Sequence, residues 1–338
     1  MGHTDTVNRG KKKVLKVSHL SKGYGEKQIV KDVSFEAQKG KIYGFLGPNG
    51  VGKSTTMNMI TGYLAPDDGN ILINDISMIK EPKKAKKQIG YLPEQPPLYL
   101  DMTVTEYLNY AAELKGLFGE FRKKEVGRVM DVAGLEYVKK HLLRQISKGY
   151  KQRVGLAQAL LANPEIIILD EPSSGLDPKQ IVEMRELVRR LGEDHTVIFS
   201  THILAEVSSL CDHVFILSGG TLVADDTPEH LLEKYNEQQR LKLVLKGNAT
   251  AAEYRIKRIE EIESYRVVKE EEESSTLEVV AKKGCDIREV LSKACVSAGY
   301  TLLELASNRV TLEDVYLELT RDHAAAVTEE EAEDVGSL

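Results

Sequence analysis

Gly47-Pro48-Asn49-Gly50-Val51-Gly52-Lys53-Ser54-Thr55 is the stretch on which the reading of this chain turns. It satisfies the pattern G-x-x-x-x-G-K-[ST]. It follows an apolar run, Ile42–Leu46, that reads as a buried strand, and it opens a helix predicted to start near Lys53, the context the pattern requires. Glycines let the backbone curl so that consecutive N–H groups point at phosphate oxygens, and a helix N-terminus adds a dipole that favours an anion. Lys53 is then placed to reach the β- and γ-phosphates of a nucleotide, and the Ser54 hydroxyl to ligate Mg²⁺. The plainer account is a glycine turn beside a surface lysine. A chance match in a chain of this composition occurs roughly once in a hundred, and correct strand and helix flanks make it rarer.

Phosphoryl transfer also needs a carboxylate at the end of a buried strand, and Ile166-Ile167-Ile168-Leu169-Asp170-Glu171 supplies one. Four consecutive aliphatic residues suit a strand covered on both faces. Asp170 can hold the hydration shell of Mg²⁺, and Glu171 can accept a proton from an attacking water. Without the glycine loop, the same residues would be a buried strand ending in two solvated carboxylates.

Working outward, Val14–Leu20 alternates as a strand, Gly23–Gly25 reads as a turn, and Val30–Ala37 is a second extended stretch. Helical spacing runs from Thr103 to about Val138 and again from Lys148 to Ala162. Strand and helix then alternate through Glu165–Leu169, Lys179–Leu191, Thr196–Ser200, Ile203–Leu210 and Val214–Ser218. The pattern implies an α/β sheet with an inserted, mainly helical subdomain at about 97–162. After Pro228 the character changes. Strands at Leu241–Lys246, Tyr265–Lys269, Thr276–Ala281 and Thr301–Leu305, with helices at Ala249–Ile262, Ile287–Ala298 and Leu312–Thr320, give the β-α-β-β-α-β order of a small α+β, ferredoxin-like unit. The expected division is an N-terminal arm at 1–13, a nucleotide-binding domain at 14–235, an accessory domain at 236–321 and an acidic, disordered tail at 322–338.

Composition narrows the function classes. The 338 residues exceed one average domain, and 41% hydrophobic with 29% charged residues is ordinary globular material. A net charge of -6 argues against nucleic acid as an obligatory partner. Three cysteines, Cys211, Cys285 and Cys295, have no metal-ligand spacing and fit a reducing compartment. No run approaches 18 apolar residues, so no transmembrane segment is expected. Gly2 and Thr6 match the loose myristoylation pattern, which short sequences often meet by accident. The run Lys83-Lys84-Ala85-Lys86-Lys87 reads as a solvated helix face before a lipid contact.

With both halves of the site in hand, the chain resembles an ATP-binding cassette (ABC) subunit over about residues 14–235. That resemblance implies the ABC form of the P-loop NTPase fold, ATP and Mg²⁺ as ligands, and roles for further residues. Tyr24 stands where the family stacks an aromatic on adenine. Ser147-Lys148-Gly149-Tyr150-Lys151-Gln152 sits where the family's LSGGQ signature belongs; Ser147 and Gly149 agree with it, while Ile146, Lys148 and Tyr150 depart. Asp177, in Pro172-Ser173-Ser174-Gly175-Leu176-Asp177-Pro178, matches the D-loop of the dimer interface, and His202 the switch histidine that orients catalytic water. At the Q-loop, where the family has a metal-contacting glutamine, Gly90-Tyr91-Leu92-Pro93-Glu94-Gln95 puts Glu94, with Gln95 adjacent as the alternative.

The resemblance further implies a head-to-tail pair of cassettes, most simply a homodimer, with ATP sandwiched between the loop of one and the Ser147–Tyr150 segment of the other. It implies a separate transmembrane permease bound near Pro93–Tyr99, and hence a peripheral place on the cytoplasmic face of the membrane. The Leu-Pro-Glu loop and the C-terminal Thr311-Leu312-Glu313-Asp314-Val315-Tyr316-Leu317 are similar to type-2 exporters, including multidrug and gliding-motility cassettes. The competing reading is a soluble mechanochemical ATPase acting on ribosomes or nucleic acid. A single P-loop, no long heptad run and acidic charge weigh against it. A catalytically dead cassette is disfavoured by the presence of Lys53, Asp170, Glu171 and His202 together.

Overall fold

The structure is a computed structural model that describes residues 12–235, 239–307 and 311–321. Most of the expected arm, with Gly2 and Thr6, and the expected acidic tail lie outside the described residues. The chain divides into two compact units after Pro228, the second holding Glu229–Glu318.

In the first unit, β1 (Lys13–Tyr24) and β2 (Lys27–Gln38) form a hairpin that joins β4 (Asp68–Ile73) and β5 (Ile76–Ser77) in an antiparallel sheet of order β2-β1-β4-β5. Sequence reading found the hairpin but not β4 and β5. Turn formers, Asp67-Asp68-Gly69-Asn70 and Asn74-Asp75, flank the three-residue apolar run Ile71-Leu72-Ile73, which is extended by pairing with β1 and β5 and by burial of Ile71 and Ile73. The second sheet has the order β10-β9-β3-β8-β7-β6. It comprises β3 (Ile42–Leu46), β6 (Ile89–Leu92), β7 (Ile166–Asp170), β8 (Thr196–Thr201) and β9 (His213–Ser218), all parallel, with β10 (Thr221–Asp226) antiparallel at the edge. β3, β7 and β8 are buried at every position, which explains their unbroken apolar reading. The two sheets share one core, in which Phe35 of β2 meets Phe45 of β3 and Phe215 of β9 with ring centroids 5.5 and 4.5 Å apart. Burying each such ring stabilises the fold by about 1.5–3 kcal/mol.

Helices α1 (Lys53–Ile60), α6 (Pro178–Asp194) and α7 (Leu204–Leu210) follow β3, β7 and β8, and the short α2 (Pro82–Lys86) precedes β6. Between β6 and β7 lies the expected helical insert, with α3 (Val104–Leu114), α4 (Gly119–Ala133) and α5 (Lys148–Leu160). Thr103 and Glu106 cap α3 reciprocally. Glu125, buried on α4, makes a bidentate pair with Arg128 and accepts from the Ala162 N–H beyond the end of α5, and the Arg128 guanidinium holds its carboxyl below the usual range. Close packing joins α5 to β6: a Cβ on Gly90 would stand 2.3 Å from the Ala159 carbonyl oxygen. That contact fixes the strand from which the segment carrying Glu94 emerges.

From α8 (Pro228–Tyr235) onward the second unit contains β11 (Arg240–Lys246), α9 (Thr250–Ile256), β12 (Ile262–Glu270), β13 (Ser274–Ala281), α10 (Arg288–Ser297), β14 (Leu302–Ser307) and the greater part, through Glu318, of a helix at 312–321. Its sheet is antiparallel throughout, in the order β12-β13-β11-β14. Leu241, Leu243 and Leu245 alternate inward with Leu277, Val279 and Ala281 against Ile256, Leu291 and Cys295 of the helices. α9 ends six residues before the expected Ile262, which instead begins β12. Among the described residues, no helix is long and apolar enough to cross a membrane.

Candidate active site

The loop between β3 and α1 is folded as its glycines require. Gly50 and Gly52 have φ of 81° and 107°, and a Cβ on Gly52 would stand 2.9 Å from the Ile29 carbonyl oxygen. No side chain caps α1, which leaves first-turn N–H groups for an anion. Lys53 is only 4% exposed; its Nζ donates to the Gly47 and Pro48 carbonyls at 2.7 and 3.1 Å and lies 3.4 Å from Glu171 Oε1. The ammonium is thus held against the loop by neutral oxygens and one carboxylate. A cleft of about 250 Å³ is lined by Asn49, Gly50, Gly52, Lys53, Ser54 and Thr55 together with Ile29, Glu94 and Glu171. Val51, which sequence reading included in the cradle, is buried in the core, 8% exposed.

The acidic half reaches the loop from β7. Ser54 Oγ donates to Asp170 Oδ1 at 3.1 Å, so hydroxyl and carboxylate stand together where two oxygen ligands would be needed. Glu171 has a φ of 44°, a left-handed conformation that a glutamate adopts only at a cost. Ser200 pays part of that cost. Parallel pairing of β7 with β8 sets Ser200 opposite Asp170; its Oγ donates to Asp170 Oδ1 at 2.5 Å and accepts the Glu171 N–H at 2.9 Å. His202 Nδ1 lies 3.1 Å from Glu171 Oε2, and its loop is pinned by Thr201, which donates to Glu206 and accepts from the Ile203 N–H. Nearby, burial first and the Asp170 charge second raise the Tyr91 hydroxyl above its ordinary pKa, so it stays a donor to Asn58 Oδ1.

Sequence reading left Glu94 and Gln95 open. Glu94 lines the cleft, accepts from Gln152 Nε2 at its carbonyl (2.7 Å) and from Ser174 Oγ at its carboxylate (3.3 Å). Gln95 lines a neighbouring depression with Pro96, Lys148 and Lys151. Tyr24, Ser147, Gly149 and Asp177 also lie outside the residues that line the cleft. Tyr24 is 54% exposed at the end of β1. Ser147 caps α5 by accepting the Tyr150 N–H, and Asp177 caps α6 by accepting the Gln180 N–H. Gly149 packs on the Gln180 side chain and, with Asp177, lines a separate surface depression. Sequence reading missed Ser200 and Ser174 as site residues. Neither belongs to a spacing rule; strand register and loop packing bring them in.

A glycine-loop lysine after one parallel strand, facing carboxylates at the carboxyl end of another strand of the same sheet, is the working core of a P-loop NTPase. The comparisons narrow the class. The ABC transporter family profile matches residues 30–174. Bacitracin transport ATP-binding protein BcrA of Bacillus licheniformis is 33% identical over 308 residues, covering 90% of this chain and 97% of its own. Linearmycin resistance ATP-binding protein LnrL of Bacillus subtilis is 37% identical over 235 residues, covering 69% and 76%. Among solved structures, an ATP-binding subunit of an ABC transporter aligns with a TM-score of 0.60 at 33% identity, over 66% of this chain and 93% of that one. The dimeric cassette MJ0796, bound to ADP and Pi after hydrolysis, aligns at 0.58 and 28%, over 63% and 98%. The chain belongs to the ATP-binding subunits of ABC transporters, and it is an ATP hydrolase that powers transport. The reading as an ATPase of ribosomes or nucleic acid falls away.

Proposed function

We propose that this chain is the ATP-hydrolysing subunit of an exporter and that its chemistry runs through Lys53, Asp170, Glu171 and His202. The observation that carries this is the hydrogen-bonded series Ser54–Asp170–Ser200–Glu171, which holds a metal-ligating pair and a strained base beside the phosphate loop. The free loop N–H groups between Asn49 and Thr55, together with Lys53, bind the phosphates of ATP. Glu171 takes the proton of the water that attacks the γ-phosphorus, and His202, touching the same carboxylate, orients that water.

The donor set suits Mg²⁺. Ser54 and Asp170 offer two oxygens, with Glu94 facing the same cleft. Among the described residues no cluster of three or more His, Cys, Asp or Glu forms a ready-made cage; Mg²⁺ needs none, since it keeps waters and borrows phosphate oxygens. When bound, it neutralises charge on the transferring phosphoryl group.

Tyr24 stacks on the adenine in this reading, and Ser147, Gly149 and Asp177 act across a dimer. The depression that Gly149 and Asp177 line apart from the phosphate cleft, and the dimeric state of MJ0796, support a homodimer in which Ser147 and Gly149 complete the partner's ATP site. The names of the relatives, attached to bacitracin transport, linearmycin resistance and lipopolysaccharide export, support a permease partner, a peripheral place on the cytoplasmic face of the membrane and outward transport. We further read four domains: the arm at 1–13, the cassette at 14–235, the accessory domain at 236–321 and the acidic tail at 322–338. The strand order of the accessory domain suits a ferredoxin-like module, and it shares enough with BcrA for the alignment to span 90% of this chain.

The test is Mg²⁺-dependent ATP hydrolysis against protein concentration, with Glu171→Gln in parallel. A rate rising faster than linearly, lost in the variant while the variant dimerises on ATP, is the expected result. Hydrolysis that persists in Glu171→Gln would remove the glutamate from its assigned role.

A further inference from the structure

Of the six phenylalanines in the chain, Phe35, Phe45, Phe199 and Phe215 are at most 3% exposed. The other two, Phe118 and Phe121, are 67% and 62% exposed and stand three residues apart, at the cap and in the first turn of α4. Leu114, at the end of α3 across the same turn, is 71% exposed. Single exposed apolar residues need no account, but a cluster on one tip does.

The tip is not a loose loop whose side chains happen to fall outward. Leu117, in its middle, is buried, and its N–H donates to the Ala112 carbonyl. Arg122 of α4 pairs with Glu113 of α3, closing the hairpin. Lys115 Nζ donates to the carbonyls of Gln158, Ala159 and Leu161 at the end of α5. These attachments hold the turn in the geometry that presents Leu114, Phe118 and Phe121 to solvent.

Charge distinguishes the possible occupants. Residues 113–124 carry four basic side chains (Lys115, Arg122, Lys123, Lys124) against two acidic ones (Glu113, Glu120), the opposite sign to the chain's net -6; Arg122 pairs with Glu113, Lys123 with Glu120, Lys115 is turned onto the α5 carbonyls, and Lys124 is exposed. Lysine is depleted at protein–protein interfaces. Exposed Phe and Leu beside exposed lysines with a net positive charge is instead the composition of elements that lie in a membrane interface, with the long basic stems reaching to the phosphates.

We propose that the α3–α4 turn is a membrane-contact element: Leu114, Phe118 and Phe121 enter the boundary between headgroups and acyl chains of an anionic leaflet, and Lys124 faces its phosphates, with Lys123, paired to Glu120, beside it. The inference rests on the reading of the chain as a membrane-associated transporter subunit, and it gives that subunit a lipid contact beside any protein one.

The chain contains no tryptophan, so Phe118→Trp in the full-length protein installs a single reporter. Its emission is read with vesicles of equal parts phosphatidylglycerol and phosphatidylcholine, with phosphatidylcholine alone, and with brominated acyl chains. A blue shift on the anionic vesicles, quenching by bromine and weakening at high salt are expected. Adding Leu114→Ser and Phe121→Ser should weaken partitioning by about tenfold or more. An emission unmoved by either vesicle would overturn the proposal, as would a blue shift seen only when the detergent-solubilised permease is added, which would make the tip a protein interface. ATP hydrolysis by the same variant is measured separately, so failure at the membrane leaves the proposed function standing.

Discussion

The two compact units use sheets of opposite design. In the first, β3, β7 and β8 are parallel and covered on both faces. In the second, β11 reads Arg240-Leu241-Lys242-Leu243-Val244-Leu245-Lys246, with Leu241, Leu243 and Leu245 buried and Lys242 and Lys246 exposed. A parallel sheet aligns the carboxyl ends of its strands, so Leu46, Asp170 and Thr201 finish side by side and their following loops converge. An antiparallel sheet alternates its ends and gathers no such edge. Chemistry accordingly collects in the first unit, and we find no comparable cluster among the described residues of the second.

The sharpest way to break this comparison is at the converging edge. Lys53→Ala should lower ATP hydrolysis by about a thousandfold or more while leaving thermal unfolding nearly unchanged, because the charge serves the phosphates rather than the core; a variant that instead unfolds would make Lys53 a structural residue. Next in size is packing. Ile168→Ala in β7 should cost about 2–5 kcal/mol, and Leu243→Ala in β11 a similar amount. Only the first should also impair hydrolysis, since only β7 carries Asp170; chemical denaturation and ATPase assays of both variants decide this.

A smaller effect tests the support of the strained glutamate. Ser200→Ala removes one hydroxyl that serves both Asp170 and Glu171, so kcat should fall by about ten- to a hundredfold with KM for ATP little changed. An unchanged kcat would mean that the left-handed Glu171 holds without it. The smallest effect lies in the helical insert. Glu125→Gln breaks the Arg128 pair and should cost about 1 kcal/mol at neutral pH. Because the Glu125 pKa is depressed in the folded state, its contribution is full above the ordinary carboxylate value and is lost as pH falls through the depressed one. Stability curves of the two proteins should therefore converge only as the pH falls from the ordinary carboxylate range through the depressed value.

Much of this was legible in one dimension because the motifs are contiguous. An anion cradle is built from successive N–H groups, so Gly47–Thr55 carries its own geometry, and a strand buried on both faces announces itself as Ile166–Leu169 before Asp170 and Glu171. The antiparallel β4 and β5 stayed hidden, since turn formers flank the short apolar run of β4, which is extended by pairing with β1 and β5 and by burial. The end of α9 was misread for the related reason that Ile262 pairs with Ala281 rather than continuing a helix.

The sequence by itself determined the glycine loop between a buried strand and a helix, and the buried strand that ends in Asp170 and Glu171. Tertiary structure alone decided that Ser200, 30 residues along the chain from Asp170, stands opposite it, that Glu94 and not Gln95 faces the cleft, and that two phenylalanines are held out of the core. Each of these depends on strand register or on packing between distant segments. Local propensity does not encode those quantities, because their energy comes from the neighbour that the fold supplies.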